Sequence, residues 1–287
     1  RTAAEATPLA PSLILGAFLV MAGLSFKVGS VPFHFWIPDV YEGAPLPVTA
    51  FLAAGSKVAA FAVILKILAA LAPLQQTWTL AFAFLAAATL FYGNLGAIPQ
   101  TNIKRFLGYS SIGHAGFMLM GVASGGISGG NAIAFYMLAY GITTVAAFLV
   151  VVFACSALGS EDMAAFDGLS ERSPLLAAAL FIALLSLAGV PPLAGFFAKF
   201  LILSAAVEKG LIWLALLGAA NVVISLYYYL VLVKRLYIHK PRTASNLPAV
   251  PVSLRISLYA SIAAMVVMGA VQGPFVHLTS RAVQALF

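Results

Sequence analysis

Long apolar runs follow one another along the chain without a two-residue alternation. A run of about 18 residues or more is long enough to cross a hydrocarbon core of roughly 30 Å as a helix. A backbone in lipid must satisfy its own hydrogen bonds, which leaves a helix or a closed barrel, and continuous runs exclude the barrel. The pattern predicts eight spans: Pro8–Pro38, Pro45–Leu71, Gln76–Ile98, Asn102–Ala123, Asn131–Leu158, Pro174–Ala205, Leu211–Leu236 and Val252–Val271. An amphipathic stretch, Phe275–Phe287, either extends the last span or lies along the interface. Turn residues mark connectors at Tyr41–Pro45, Gly125–Gly130, Gly159–Pro174 and Lys240–Pro248. The predicted fold class is an all-α polytopic membrane protein.

The first and sixth spans are longer than a crossing needs, and each carries a helix breaker. The first reads Lys27-Val28-Gly29-Ser30-Val31-Pro32-Phe33-His34, the sixth Leu187-Ala188-Gly189-Val190-Pro191-Pro192-Leu193-Ala194-Gly195. Proline removes a donor and clashes with the preceding turn, while glycine lowers the cost of unwinding. A single such proline often only kinks a helix. A matched pair in corresponding places points instead to an inverted-repeat transporter whose site lies near mid-membrane.

Composition strengthens the membrane reading and removes others. Of 287 residues, 63% are hydrophobic and 8% charged, against about 25% charged in a soluble domain. The net charge of +7 does not form a basic face for nucleic acid, because the cations sit singly or in pairs beside spans. They act better as orientation signals. Alternate connectors carry Lys104, Arg105, Arg172, Lys234, Arg235, Lys240, Arg242 and Arg255 on one side, and Arg1, Lys66, Lys209 and Arg281 on the other. The positive-inside rule puts the richer set in the cytoplasm, so both ends of the segment face outward. Glu161, Asp162, Asp167 and Glu171 share the richer side. Cys155 lies in an apolar span, and neither a disulfide framework nor a Cys/His metal spacing is present. The first residue is Arg1, with no signal peptide before the first span, so the numbering is expected to begin inside a longer chain.

Four ionisable side chains fall inside spans: Lys27, Lys57, His114 and Lys199. A lysine at the bilayer centre costs about 2.5–3.5 kcal/mol, so these groups should face the bundle interior, a watery path or one another. Lys57 lies about 18 Å along its helix from Pro45 at roughly 1.5 Å per residue, too deep to snorkel easily. Its neighbours Gly55 and Ser56 leave room for water or another helix. Desolvation disfavours a bare ammonium, so a lysine so placed can exchange protons near neutral pH, although a purely structural lysine is the alternative. Lys27 precedes the first break and Lys199 follows the second, and each can meet backbone groups freed there. Lys199 is nearer its span's end, where snorkelling competes. His114, in Ser110-Ser111-Ile112-Gly113-His114-Ala115-Gly116, can relay protons between lysines or simply be a satisfied buried imidazole. Tyr109, Ser110, Ser111, Thr143 and Thr144 can hold ordered water or glue helices. His34 and Asp39 flank Trp36 beyond the first break, where a structural or gating role is favoured over proton transfer. No Asp or Glu lies deep in a span, so a carboxylate partner is expected upstream of Arg1. No nucleotide loop, dinucleotide fingerprint, haem motif or catalytic triad appears, so no redox cofactor and no metal is expected on this chain.

Phe26–Lys57 (FKVGSVPFHFWIPDVYEGAPLPVTAFLAAGSK) resembles the antiporter-like membrane subunits of respiratory complex I. The Pro-Asp-Val-Tyr-Glu-Gly-Ala-Pro form within it and Gln100–Phe117 (QTNIKRFLGYSSIGHAGF) are similar to the subunit N branch, and Ala188–Phe200 (AGVPPLAGFFAKF) adds a third match. The resemblance covers essentially the whole chain. It implies fourteen helices, of which this segment supplies the seventh to the fourteenth. Residues 1–72 would hold the last two helices of one inverted repeat, 73–238 the second five-helix repeat, and 239–287 the C-terminal helix and tail. It implies a proton-translocating, non-redox subunit of NADH:quinone oxidoreductase in a bacterial inner membrane. The proton path would enter from the cytoplasm, cross Lys57 and His114 and leave past Lys199. The family's first broken-helix lysine falls on Lys27, paired there with a glutamate of an earlier helix. FMN, iron–sulfur clusters and quinone would belong to partner subunits, and the partners would be other complex I membrane subunits, antiporter-like neighbours among them, within the bilayer. A cation/proton antiporter subunit of the Mrp type, without a redox partner, is the main alternative. A non-conducting assembly subunit is the other.

Overall fold

The apolar runs fold as helices in the computed structural model, which describes residues 11–70, 75–241 and 247–286. In chain order these are α1 (Pro11–Val28), α2 (Trp36–Gly43), α3 (Leu46–Phe51), a π-helical turn over Leu52–Ser56, α4 (Lys57–Ala70), α5 (Gln75–Ala97), α6 (Ile103–Ser124) and α7 (Gly126–Leu158). A 3₁₀ turn over Met163–Phe166 leads to α8 (Leu169–Arg172), α9 (Pro174–Ala188), α10 (Ala194–Glu208), α11 (Ile212–Tyr237), α12 (Val252–Ala270) and α13 (Gly273–Gln284). Among the described residues six helical segments are long and apolar enough to cross a membrane, with α3, the π turn and α4 counted as one. The two broken spans are built from shorter pieces.

Both breaks use the same cap. Gly29 (φ +75°) and Gly189 (φ +86°) take the left-handed conformation that glycine adopts without steric cost. The next amides, Ser30 N–H and Val190 N–H, reach back to the carbonyls of Ser25 at 2.9 Å and Leu185 at 3.0 Å. This six-to-one bond is the Schellman closure of a helix end. Val31–Pro32 and Pro191–Pro192 follow as cis peptides. The chain then restarts as α2 and α10.

Two boundaries differ from the sequence pattern. The first broken span does not end at Pro38: α2 continues to Gly43, which shortens the connector to Ala44 and Pro45. The glycines read as a turn before Asn131 form the first turns of α7 instead. Of these, Gly129 is a packing residue, since a Cβ on it would lie 2.4 Å from the Gly121 carbonyl oxygen of α6. The C-terminal amphipathic stretch forms α13, separate from α12 and packed on α7.

Helix α6 is the hub. Nearly all of it is buried, and it packs along α5 and against α2, α7 and α10. Peripheral helices turn apolar side chains outward, among them Phe84 on α5, Leu216 on α11 and Ile256 on α12, as a lipid-facing surface requires.

The described ion pairs gather at one end of the bundle. Arg105 meets Asp39 at 2.7 Å and Glu42 at 2.8 Å, and Arg235 meets Asp167 at 3.1 Å. Lys104, 4% exposed, pairs with Glu161 at 2.7 Å and donates to the Ala44 carbonyl at 3.0 Å. These are the connectors that the sequence assigns to one side. Glu161→Ala leaves the Lys104 ammonium buried with only a neutral acceptor, so we expect a loss of about 1–3 kcal/mol. Thermal unfolding of the detergent-solubilised protein measures it, and an unchanged midpoint refutes it.

Candidate functional site

The side chains that carry chemistry converge on Ser110, Ser111 and His114, along a face of α6 that the surrounding helices bury. Lys57, 2% exposed, approaches from the start of α4. Its Nζ donates to the Ser111 carbonyl oxygen at 2.6 Å and to Ser111 Oγ. Tyr41 of α2 brings its hydroxyl to 3.5 Å from the same Oγ. The π turn ends on the residue before Lys57, and the Tyr140 hydroxyl of α7 donates to the Ala53 carbonyl inside that turn at 3.1 Å. Single π turns recur at functional sites because one extra residue re-aims the side chains that follow.

His114 lies one turn further along α6. Its Nδ1 is 2.7 Å from the Tyr136 hydroxyl of α7, and its Nε2 is 3.1 Å from the Tyr229 hydroxyl of α11. The Tyr229 hydroxyl also bonds Ser110 Oγ. The Tyr140 ring centroid stands 5.0 Å from the imidazole.

Lys199 enters from α10, 3% exposed. Its Nζ donates to the carbonyl of Ala188, the last residue of α9, at 2.9 Å, and to Ser225 Oγ of α11 at 3.2 Å. It also stands 4.9 Å from the Phe117 ring centroid, within cation–π range. Sequence reasoning expected a carbonyl freed at the break to meet this lysine, and Ala188 supplies it. A cavity of about 10 Å³, bordered by His114, Tyr136, Tyr140, Thr143, Ser186 and Lys199, has about the room that one water needs. Thr143 and Ser186 hydroxyls are 3.1 Å apart on its wall.

The structure thus brings Lys57, His114 and Lys199 to one helix, but not Lys27. Near the first break α1 turns Met21, Ser25 and Val28 inward, at helical spacing, and Lys27 falls off that face and is exposed. It forms no ion pair or hydrogen bond among the described residues, and the expectation that it faces the interior of this bundle is corrected. Tyr109 also stands outside the cluster, against Tyr92 and Arg105. Thr144 is buried beside Tyr140. His34 is buried against the Tyr92 ring at 3.9 Å, and Asp39 is occupied by Arg105. Lys57 and Lys199 take part in none of the described ion pairs; their partners are neutral. Among the described residues no group of three or more His, Cys, Asp or Glu is placed to hold a metal.

Sequence reasoning missed Tyr136, Tyr229 and Ser225. A signal for the last two existed: Asn221, Ser225 and Tyr229 recur every four residues, a polar stripe down one face of an apolar helix.

The chain matches the NADH:quinone oxidoreductase/Mrp antiporter transmembrane family over residues 2–225. It is 43% identical over 281 residues to NADH-quinone oxidoreductase subunit N of Heliobacterium modesticaldum, a match that covers 96% of this chain and 59% of that protein. The chain therefore spans less than two thirds of the length of the relatives it matches. A chain of respiratory complex I from Thermus thermophilus, solved with bound aureothin, superposes with a TM-score of 0.81 at 35% identity, over 95% of this chain and 60% of that one. A chain of the Mrp complex from Dietzia shares the fold at 22% identity, with a TM-score of 0.89 over 97% of this chain and 60% of that one.

Proposed function

The chain belongs to the NADH:quinone oxidoreductase/Mrp antiporter transmembrane family, and from that premise we propose that it forms the proton-conducting part of a subunit N-type membrane component of a bacterial NADH-quinone oxidoreductase. One observation carries the reading. Two lysines and a histidine, all buried and bonded to neutral groups, lie along one central helix of an otherwise apolar bundle. Intramembrane cations are too costly to keep for packing alone, and here they occupy a polar route through the protein. Protons pass from the Lys57 side across His114 to Lys199. Lys27 works at the outer face of this segment, toward a partner beyond the described residues. The subunit itself does no redox chemistry, and FMN, iron–sulfur clusters and quinone sit on companion subunits. Its neighbours are other membrane subunits, in keeping with the complexes from which the similar structures come.

The test is proton translocation per NADH oxidised in inverted vesicles that hold the whole complex. Lys199→Ala is expected to lower it at least about tenfold with the complex still assembled. Unchanged pumping from an assembled complex refutes conduction through this segment. An exchange of sodium or potassium for protons that needs no NADH would favour the Mrp-type antiporter instead.

A further inference from the structure

His114 has no free ring nitrogen: Tyr136 holds Nδ1 at 2.7 Å and Tyr229 holds Nε2 at 3.1 Å. A neutral imidazole offers one N–H and one bare nitrogen. One phenol must therefore accept from the ring while the other donates to it. Tyr229 has a second partner, Ser110 Oγ, so its polarity is tied to that serine as well. When Tyr229 donates to Nε2, its oxygen is open to Ser110 O–H. When it accepts from Nε2–H, its own proton points to Ser110. The chain Ser110–Tyr229–His114–Tyr136 has two mirror states of polarity, and one proton hop along its length converts the first into the second.

We propose that Tyr229 is the relay hydroxyl that carries protons between Ser110 and His114, and that Tyr136 completes the wire to the cavity beside Lys199. This rests on the proton-conducting reading above. The bonds balance at every link. A proton reaching Ser110 Oγ releases that group's own proton to the Tyr229 oxygen, whose proton passes to Nε2. The Nδ1 proton passes to the Tyr136 oxygen, and the Tyr136 proton leaves to the cavity, which Tyr136 and Lys199 both border. One proton enters, one leaves, and no group keeps a charge. Ser110 adjoins Ser111, the residue that receives Lys57. The wire therefore starts one residue from the docking point of the first buried lysine and ends at the cavity that the second borders.

Tyr237 supplies the control. It stands eight residues further along α11, its ring centroid 5.6 Å from that of Phe181 and away from Ser110 and His114. Phenylalanine at either position keeps the ring and removes only the hydroxyl. In vesicles holding the whole complex, Tyr229→Phe is expected to slow proton translocation at least about tenfold, whereas Tyr237→Phe stays close to wild type. Should Tyr229→Phe fail to assemble, Tyr136→Phe poses the same question at the other ring nitrogen. Equal losses in the Tyr237 and Tyr229 variants mark a general perturbation of α11 and overturn the wire. Wild-type pumping in Tyr229→Phe, beside a failed Lys199→Ala, overturns the wire and leaves the conducting function standing. Wild-type pumping in Lys199→Ala removes both.

Discussion

Lys57→Met should stop proton translocation, by a factor on the order of a hundred, while the subunit unfolds at the same temperature as wild type or higher. The two halves of this expectation come from one geometry. Lys57 is docked by the carbonyl and hydroxyl of Ser111 and by no described carboxylate. A structural ion pair would behave differently, because removing one partner strands the other charge at a cost of about 3–5 kcal/mol. Here removal strands nothing charged. An ammonium taken from water into an apolar interior is replaced by a thioether of similar length, an exchange that is often neutral or stabilising. The same position is where a proton carrier is needed, beside the serine pair that leads to His114. Pumping per NADH and a thermal melt of the purified complex measure the two effects. A joint loss of stability and pumping would make Lys57 a structural residue, and intact pumping would end the conduction argument.

The largest stability effect is expected at a residue with no side chain. A Cβ on Gly93 of α5 would lie 2.3 Å from the Gly113 nitrogen and 2.8 Å from its Cα, both backbone atoms of α6. Backbone cannot swing aside as a side chain can, so α5 and α6 must separate. Overpacking a filled interior costs about 1–3 kcal/mol and more where backbone must move. Gly93→Val is therefore expected to cost at least that much and to remove most assembled complex from the membrane, measured as the band of intact complex on a native gel. Gly141→Ala is the counterpart. Its Cβ would meet only Val58 Cγ2 at 3.5 Å, an ordinary contact. On propensity alone it should gain about 0.5–1 kcal/mol. Equal yields from the two variants would refute the close approach of α5 to α6.

Much of this could be read from the residues because the chemistry is expensive. An apolar run of membrane length has few alternatives to a helix, and Gly-x-Val-Pro or Gly-Val-Pro-Pro can hardly continue one, so the spans and both breaks emerged together. The burial of Lys57, His114 and Lys199 followed from the same cost. Lys27 obeyed the rule for position along a helix but not around it, because the segment near the break has apolar residues on nearly every side and no stripe to orient it. The π turn before Lys57 left no trace, since Leu52–Ser56 reads as ordinary small and apolar helix. Tyr136 and Tyr229 were passed over because tyrosine in a span ordinarily anchors an interface, and only the spacing with Asn221 and Ser225 distinguished the second. The glycine-rich run at Gly125–Gly130 looks like a turn, yet it opens α7, and Gly129 within it lets α7 approach α6.

The Ala188 carbonyl that receives Lys199 ends a helix, and a helix ends in the negative pole of its dipole, worth about half an elementary charge. A carboxylate in that place could be neutralised by the very protons that pass. A helix pole cannot be titrated. The pull on the lysine is thus set by position alone, by where α9 stops relative to α10, and only movement of the short segment between them can tighten or release it. A mechanical displacement at one end of the bundle then has a direct electrical consequence at the charge that moves.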